Sequence, residues 1–300
     1  MELLWVPISM MAALMQAVRT AAQKALNARL STWMTTYVRS IFGLPFMLVY
    51  LWVMVRVEGI GAPEFDAEYL GNCAGAAVSQ VAGTFLLILL FRMSNFAVGT
   101  MLSKTDVMQT AIIGSILFSE TISPIGWVAI VLTVLGVILI SAGRARPALP
   151  GSAGALVSPA TLIGLLTGFS FCLSYLFLRE ASLVLDDGSR PWRAAWTMVV
   201  VTSMQVVGLG LWLLLTEMRE FARLPGLLRP CLFIGVTSAM GSVGWFTAMA
   251  LQNASYVKAV GQIEVVFTVL ISTFYFRERI RRIEFVGIAT IVIGVLLFVL

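Results

Sequence analysis

Continuous apolar runs of about twenty residues constrain this chain more than any other feature. A helix needs roughly 20 predominantly apolar residues to cross the hydrocarbon of a bilayer. The sequence offers ten such runs, at about 3–22, 33–55, 69–91, 95–117, 124–142, 160–178, 193–215, 230–250, 254–275 and 284–300. They do not alternate at period two, which argues against barrel strands. The first run lacks a basic leader, so it is expected to be a span and not a cleaved signal. Of 300 residues, 59% are apolar and 12% charged, whereas a soluble domain has about 45–50% and about 25%. The expected fold is therefore an all-α membrane protein with ten transmembrane helices.

Charge and side-chain inventory then exclude several functions. The net charge is +5, but most Lys and Arg flank apolar runs, as an orientation signal does. No nucleic-acid partner is expected; the partners are the lipid bilayer and a small-molecule substrate. Basic residues gather in the odd-numbered loops, at Arg19, Lys24, Arg29, Arg277, Arg279, Arg281 and Arg282 among others, which places both termini outside. Histidine is absent, so there is no His general base and no His metal site. No metal or cofactor is expected. Cys73, Cys172 and Cys231 lie within apolar runs and read as buried thiols. No glycine-rich phosphate loop is present, which leaves direct ATP drive without support.

A Pro-, Gly- and Ala-rich stretch around Arg144–Gly154 divides the chain into 1–142, a linker at 143–159, and 160–300. An offset of 158 residues aligns Cys73 with Cys231, Gly83 with Gly241, Asn95 with Asn253, Glu120 with Glu278 and Gly136 with Gly294. It also sets Asp106 opposite Glu264. Two similar units with an odd number of spans must cross the membrane in opposite senses. That is the inverted repeat of many secondary transporters, whose substrate sits near the midplane between repeats.

The end of each fourth run carries a further signature, Phe118-Ser-Glu-Thr-Ile-Ser-Pro-Ile-Gly126 and Phe276-Arg-Glu-Arg-Ile-Arg-Arg-Ile-Glu284. Each resembles the Gly-Glu-x-(Leu/Ile) motif of the drug/metabolite transporter superfamily in its EamA-type branch, with Ser119 and Arg277 in place of the usual Gly. Gly136 and Gly294 match the small-residue positions of the last helix in each half. The resemblance spans essentially the whole chain. It implies a secondary transporter of small metabolites such as amino acids, often an exporter, in the bacterial cytoplasmic (inner) membrane with cytoplasmic termini. On the last point the charge bias and the resemblance disagree.

Ionisable groups at membrane depth cost about 2.5–3.5 kcal/mol each on insertion scales and default to function. Arg39, Lys104, Asp106, Lys258 and Glu264 qualify. Asp106 and Glu264 are expected near the centres of their spans, lining a cavity and binding substrate or a coupling proton. The competing reading is structural, with acids and bases pinning helices together. On one continuous helix Lys104 and Asp106 point roughly 200° apart, so any partners must come from other helices, with Asp106–Lys258 or Glu264–Lys104 as cross-repeat candidates. Arg39 suits an anion site or a snorkelling position equally, and Arg19 reads as interfacial. Gln80 and Gln262 are candidate cavity residues, and Tyr37 and Trp245 candidate stacking surfaces. Glu120 and Glu278 are expected to flank gates on opposite faces. Two rival functions are a non-transporting scaffold and an intramembrane hydrolase using Asp106 and Glu264 as an acid pair.

Overall fold

The computed structural model describes residues 3–90, 103–144, 159–276 and 281–298. All regular structure among them is helical: α1 (Trp5–Leu26), α2 (Thr32–Ile41), α3 (Leu44–Glu58), α4 (Ala67–Leu90), α5 (Asp106–Leu117) and α6 (Pro124–Arg144) in the first half. The second half holds α7 (Pro159–Val184), α8 (Arg190–Thr216), α9 (Leu228–Leu251), α10 (Ala254–Gly261), α11 (Ile263–Phe276) and α12 (Arg282–Leu296). Six helical stretches are long and apolar enough to cross a membrane: Thr32–Glu58, Ala67–Leu90, Pro124–Ser141, Thr161–Val184, Arg190–Thr216 and Leu224–Leu251.

The ten runs therefore do not map onto ten uninterrupted apolar helices. The second run bends at Phe42 and Gly43, between α2 and α3. Pro45 is the cause, since its ring clashes with the carbonyl four residues back and it lacks an N–H. The ninth run is cut at Gln262, the fourth is described only as α5, and α1 carries Gln16, Arg19, Gln23 and Lys24.

Two pairs of equivalent elements, α2–α3 with α8 and α6 with α12, run antiparallel. Ser31 caps α2, accepting from the Met34 N–H at 3.0 Å, and its hydroxyl donates to Glu217 just past the end of α8. Its own N–H donates to Glu220 at 2.8 Å. Ser189, 158 residues later, caps α8 and donates through N–H and hydroxyl to Glu58 at the end of α3. The start of each second-span unit is thus tied to the end of the other. The last helices cross in the same way: Gly136 faces Gly287 and Ile291, while Gly294 faces Ala129 and Thr133. These contacts interconvert under the 158-residue offset. The packing of α1 on α9 is likewise repeated by α7 on α4.

The α6–α12 crossing depends on missing side chains. A Cβ on Gly136 would lie 2.5 Å from Ile291 Cγ1 and 2.7 Å from the Gly287 carbonyl oxygen. Backbone cannot yield as a flexible side chain can, so Gly136→Ala is expected to lose about 1–3 kcal/mol through overpacking. Gly208→Ala, whose Cβ would meet nothing within 4 Å, should unfold like the wild type in detergent melts. Equal melts for both variants would show that the crossing is loose.

Polarity is distributed for lipid. Large apolar side chains such as Val49, Trp52, Val207, Leu215, Ile116 and Phe285 face outward, whereas Arg19, Arg39, Asp106, Lys258 and Glu264 are each less than 9% exposed. An apolar exterior around a charged interior suits hydrocarbon surroundings and leaves the buried charges as the functional question.

Candidate functional site

Each half breaks its fourth span at the same place. Lys104 and Thr105 form a turn before α5, and Gln262 forms one before α11. Asp106 and Glu264 thereby sit in the first turns of these helices. The acids are not mid-helix, as the unbroken runs predict, but at helix N-termini. There unpaired N–H groups and the positive end of the dipole favour a carboxylate. The break also removes Lys104 from the helical phase of Asp106.

The two broken helices meet and exchange charges. Lys104 Nζ lies 2.9 Å from Glu264 Oε2, and Lys258 Nζ lies 3.5 Å from Asp106 Oδ2. Both candidate cross-repeat pairs are present. Gln262 Nε2 approaches Asp106 Oδ1 at 3.5 Å. From α1, Gln16 donates to Glu264 at 2.9 Å and accepts from Trp245 Nε1 at 2.9 Å. Lys258 donates to the Tyr175 hydroxyl at 3.0 Å and lies 4.2 Å from the Tyr175 ring centre and 4.5 Å from that of Trp245. Two aromatic faces and a carboxylate therefore surround one buried ammonium.

Arg39 heads a second polar cluster. Its guanidinium donates to Gln80 and, at 3.0 Å, to Thr84. Gln80 accepts from Gln205 at 2.8 Å, and Gln205 accepts from Ser40 at 2.8 Å. Arg39 is buried against neutral amides and hydroxyls, so it does not snorkel. Arg19 corrects another expectation: it is only 8% exposed and not interfacial. Its charge interacts with both Glu264 and Arg39, which links the two clusters. Tyr37 belongs to neither; its hydroxyl abuts Gly210 and its ring meets Phe221 edge-on at 5.9 Å.

Tyr175 is the central residue that sequence reasoning missed. It lies in an apolar stretch of α7 with no charge or repeat to mark it. Gln16 and Gln205 read as ordinary interhelical hydrogen-bonders, and only the packing brings them to the acids and Arg39.

The Glu120 end is closed by a third cluster. Glu120 accepts from the Ala254 N–H at 2.7 Å and the Ser255 hydroxyl at 2.6 Å, capping α10, and pairs with Arg179 at 3.4 Å. Arg179 also donates to the carbonyls of Met249 and Gln252 at 2.6 and 2.5 Å, and to Asn253 Oδ1 at 3.0 Å. Arg277 and Glu278 lie outside the described residues. Ser119, where the resembling motif has Gly, takes φ +52°, the one positive-φ non-glycine among the described residues. Left-handed backbone costs an L-residue about 1–2 kcal/mol. Ser119→Gly is expected to raise the melting temperature, with the gain trimmed by the greater unfolded-state freedom of Gly; a lower melting temperature would mean the Ser119 side chain contributes more than its strain.

These features define a multi-pass membrane protein built from two antiparallel copies of one unit, with buried charges where the copies meet. The sequence profile of the EamA-like transporter family matches residues 3–142 and again 158–300. The chain belongs to that family, within the drug/metabolite transporter superfamily. Its family members are transporters and not enzymes. A solved structure titled "Crystal structure of protein" shares the fold with a TM-score of 0.70 at 12% identity, over 98% of this chain and 95% of that one. No curated protein matches the chain.

Proposed function

We propose that this protein is a secondary active transporter moving a small polar or amphipathic metabolite, such as an amino acid or related compound, by alternating access. The direction we assign is export across the bacterial cytoplasmic membrane, with residues 1–142 and 160–300 as two inverted five-helix repeats making ten spans. The observation that carries this reading is the meeting of the two interrupted fourth spans, with Lys104–Glu264 and Lys258–Asp106 joining one repeat to the other. Interrupted helices at a repeat interface are how transporters expose helix ends and backbone to substrate at membrane depth. Rocking one repeat against the other must exchange these pairs, so substrate binding or protonation of Asp106 or Glu264 biases the motion.

Under this reading the candidate site comprises Asp106, Glu264, Lys104, Lys258, Arg39, Gln80, Gln262 and Trp245, with Arg19, Gln16 and Tyr175 added. Tyr37 is left out because it packs elsewhere. The test is flux of labelled amino acids and related metabolites into proteoliposomes, with and without an imposed pH gradient. Saturable flux requiring the protein supports the reading. Absence of flux for every metabolite class, with the protein folded and inserted, would favour a non-transporting scaffold.

A further inference from the structure

We propose that the central site takes an oxyanion-bearing substrate, a carboxylate or phosphate, held by Arg19 and Arg39. This rests on the transporter reading of the same site. Among the described residues, the two clusters hold four cations (Lys104, Lys258, Arg19, Arg39) and two carboxylates (Asp106, Glu264). Each lysine has its carboxylate partner. Among the described residues neither arginine makes an ion pair, and both are more than nine-tenths buried.

Arg39 is held by uncharged partners, which orient the guanidinium without neutralising it. Arg19 has no hydrogen-bond partner at Nε. It shares an electrostatic neighbourhood with Arg39, Glu264 and Tyr175. Glu264 acts on Arg19 but is already paired with Lys104, so two carboxylates serve four cations, and buried positive charge in excess of its counter-charge is held only at the expense of the rest of the fold. A planar guanidinium is shaped to receive an oxyanion in bidentate fashion, and the missing negative charge is what such a ligand supplies.

The aromatic pair argues against the opposite class. Tyr175 and Trp245 form the kind of surface on which an organic cation would rest, but Lys258 already occupies it. A cationic substrate would have to displace a bonded lysine and then face three further positive side chains. An anion meets a site prepared for it.

The experiment is thermal unfolding of the purified full chain in detergent and low-salt zwitterionic buffer, with acetate, succinate, glucose phosphate, chloride and tetraethylammonium as probes. At least one oxyanion is expected to raise the melting temperature saturably, as any ligand specific for the folded state does, while tetraethylammonium does not. Carboxylates against the sugar phosphate separate the two sources of the anion. Arg19→Met and Arg39→Gln should each weaken the response at least about ten-fold, equivalent to about 1.4 kcal/mol. Arg19→Met should also raise the ligand-free melting temperature by about 2 °C or more, because it removes a buried charge in excess of the two carboxylates of the site and no hydrogen bond at Nε.

The proposal is overturned if no oxyanion shifts the melt, if chloride alone gives the whole shift, or if tetraethylammonium stabilises instead. Survival of the oxyanion response in both arginine variants, or a ligand-free Arg19→Met that is less stable or fails to fold, overturns it as well. Oxyanion binding without flux in proteoliposomes would remove the transporter reading and leave this one standing. Flux of amines alone would do the reverse.

Discussion

Asp106→Asn is expected to abolish transport and to cost about 3–5 kcal/mol of stability, the loss when one partner of a buried ion pair is removed. Asp106 and Lys258 have side chains only 6% and 4% exposed, so water cannot replace the missing charge. The two aromatic faces on Lys258 return only about 2 kcal/mol when desolvated. Combining Asp106→Leu with Lys258→Met removes both charges and should recover most of the stability, as apolar replacement of buried pairs often does. Transport should stay lost, because the exchange of charges between repeats is gone. Melting curves and proteoliposome flux on the single and double variants decide this. A double variant that transports at the wild-type rate would reduce the pair to a structural pin.

Arg179→Ala is expected to open the Glu120 end. The guanidinium draws together two carbonyls, the Asn253 amide oxygen and the Glu120 carboxylate, which is itself buried. Its removal leaves Glu120 without its cation, again about 3–5 kcal/mol. The residue 158 positions earlier is Ala21. With Cys73, Cys172 and Cys231 replaced, a cysteine at the fully buried Ala254 reports on this end. Its labelling by a membrane-impermeant reagent should rise at least about ten-fold in Arg179→Ala, equivalent to about 1.4 kcal/mol in the opening equilibrium. Arg179→Lys should restore little, since an ammonium cannot reproduce a planar fork. Unchanged labelling would mean that the Glu120 cluster caps α10 without gating. A melt lowered without added labelling would point the same way.

The two clusters differ in what they touch. The Asp106 and Glu264 pairs cross between the breaks of two equivalent spans, so they are the contacts that the proposed rocking of the repeats would exchange. The Glu120 cluster closes over the start of α10 through Arg179, whose position in the other repeat is Ala21.

Several properties of this protein were set by sequence alone. Long apolar runs and few charges dictate a membrane protein because unpaired backbone polar groups cannot stand in hydrocarbon outside a helix. The 158-residue offset exposed the duplication, since side chains such as Asn, Glu and Asp are rare enough in apolar runs to register an alignment. Helical phase sent each acid to another helix, because it could not reach the lysine nearest to it in sequence, and left Asp106–Lys258 and Lys104–Glu264 as candidates that the structure then joined. Other properties only the tertiary structure decided. The breaks at Lys104–Thr105 and Gln262 contain no proline and look helical locally; only the structure sets Asp106 and Glu264 at the helix starts that follow them, each facing a lysine of the opposing half. Arg19 reads as interfacial from its place near the end of a run, yet α1 packs against α9, α10 and α11 and carries it inside. Tyr37 has the depth of a substrate-stacking residue and faces another core. The reciprocal Ser31–Glu217 and Ser189–Glu58 bonds, and the service of Tyr175 and Arg179, join residues more than a hundred positions or a full helix apart. Local pattern reports what a segment can tolerate, and long-range packing chooses which of its faces meets a charge.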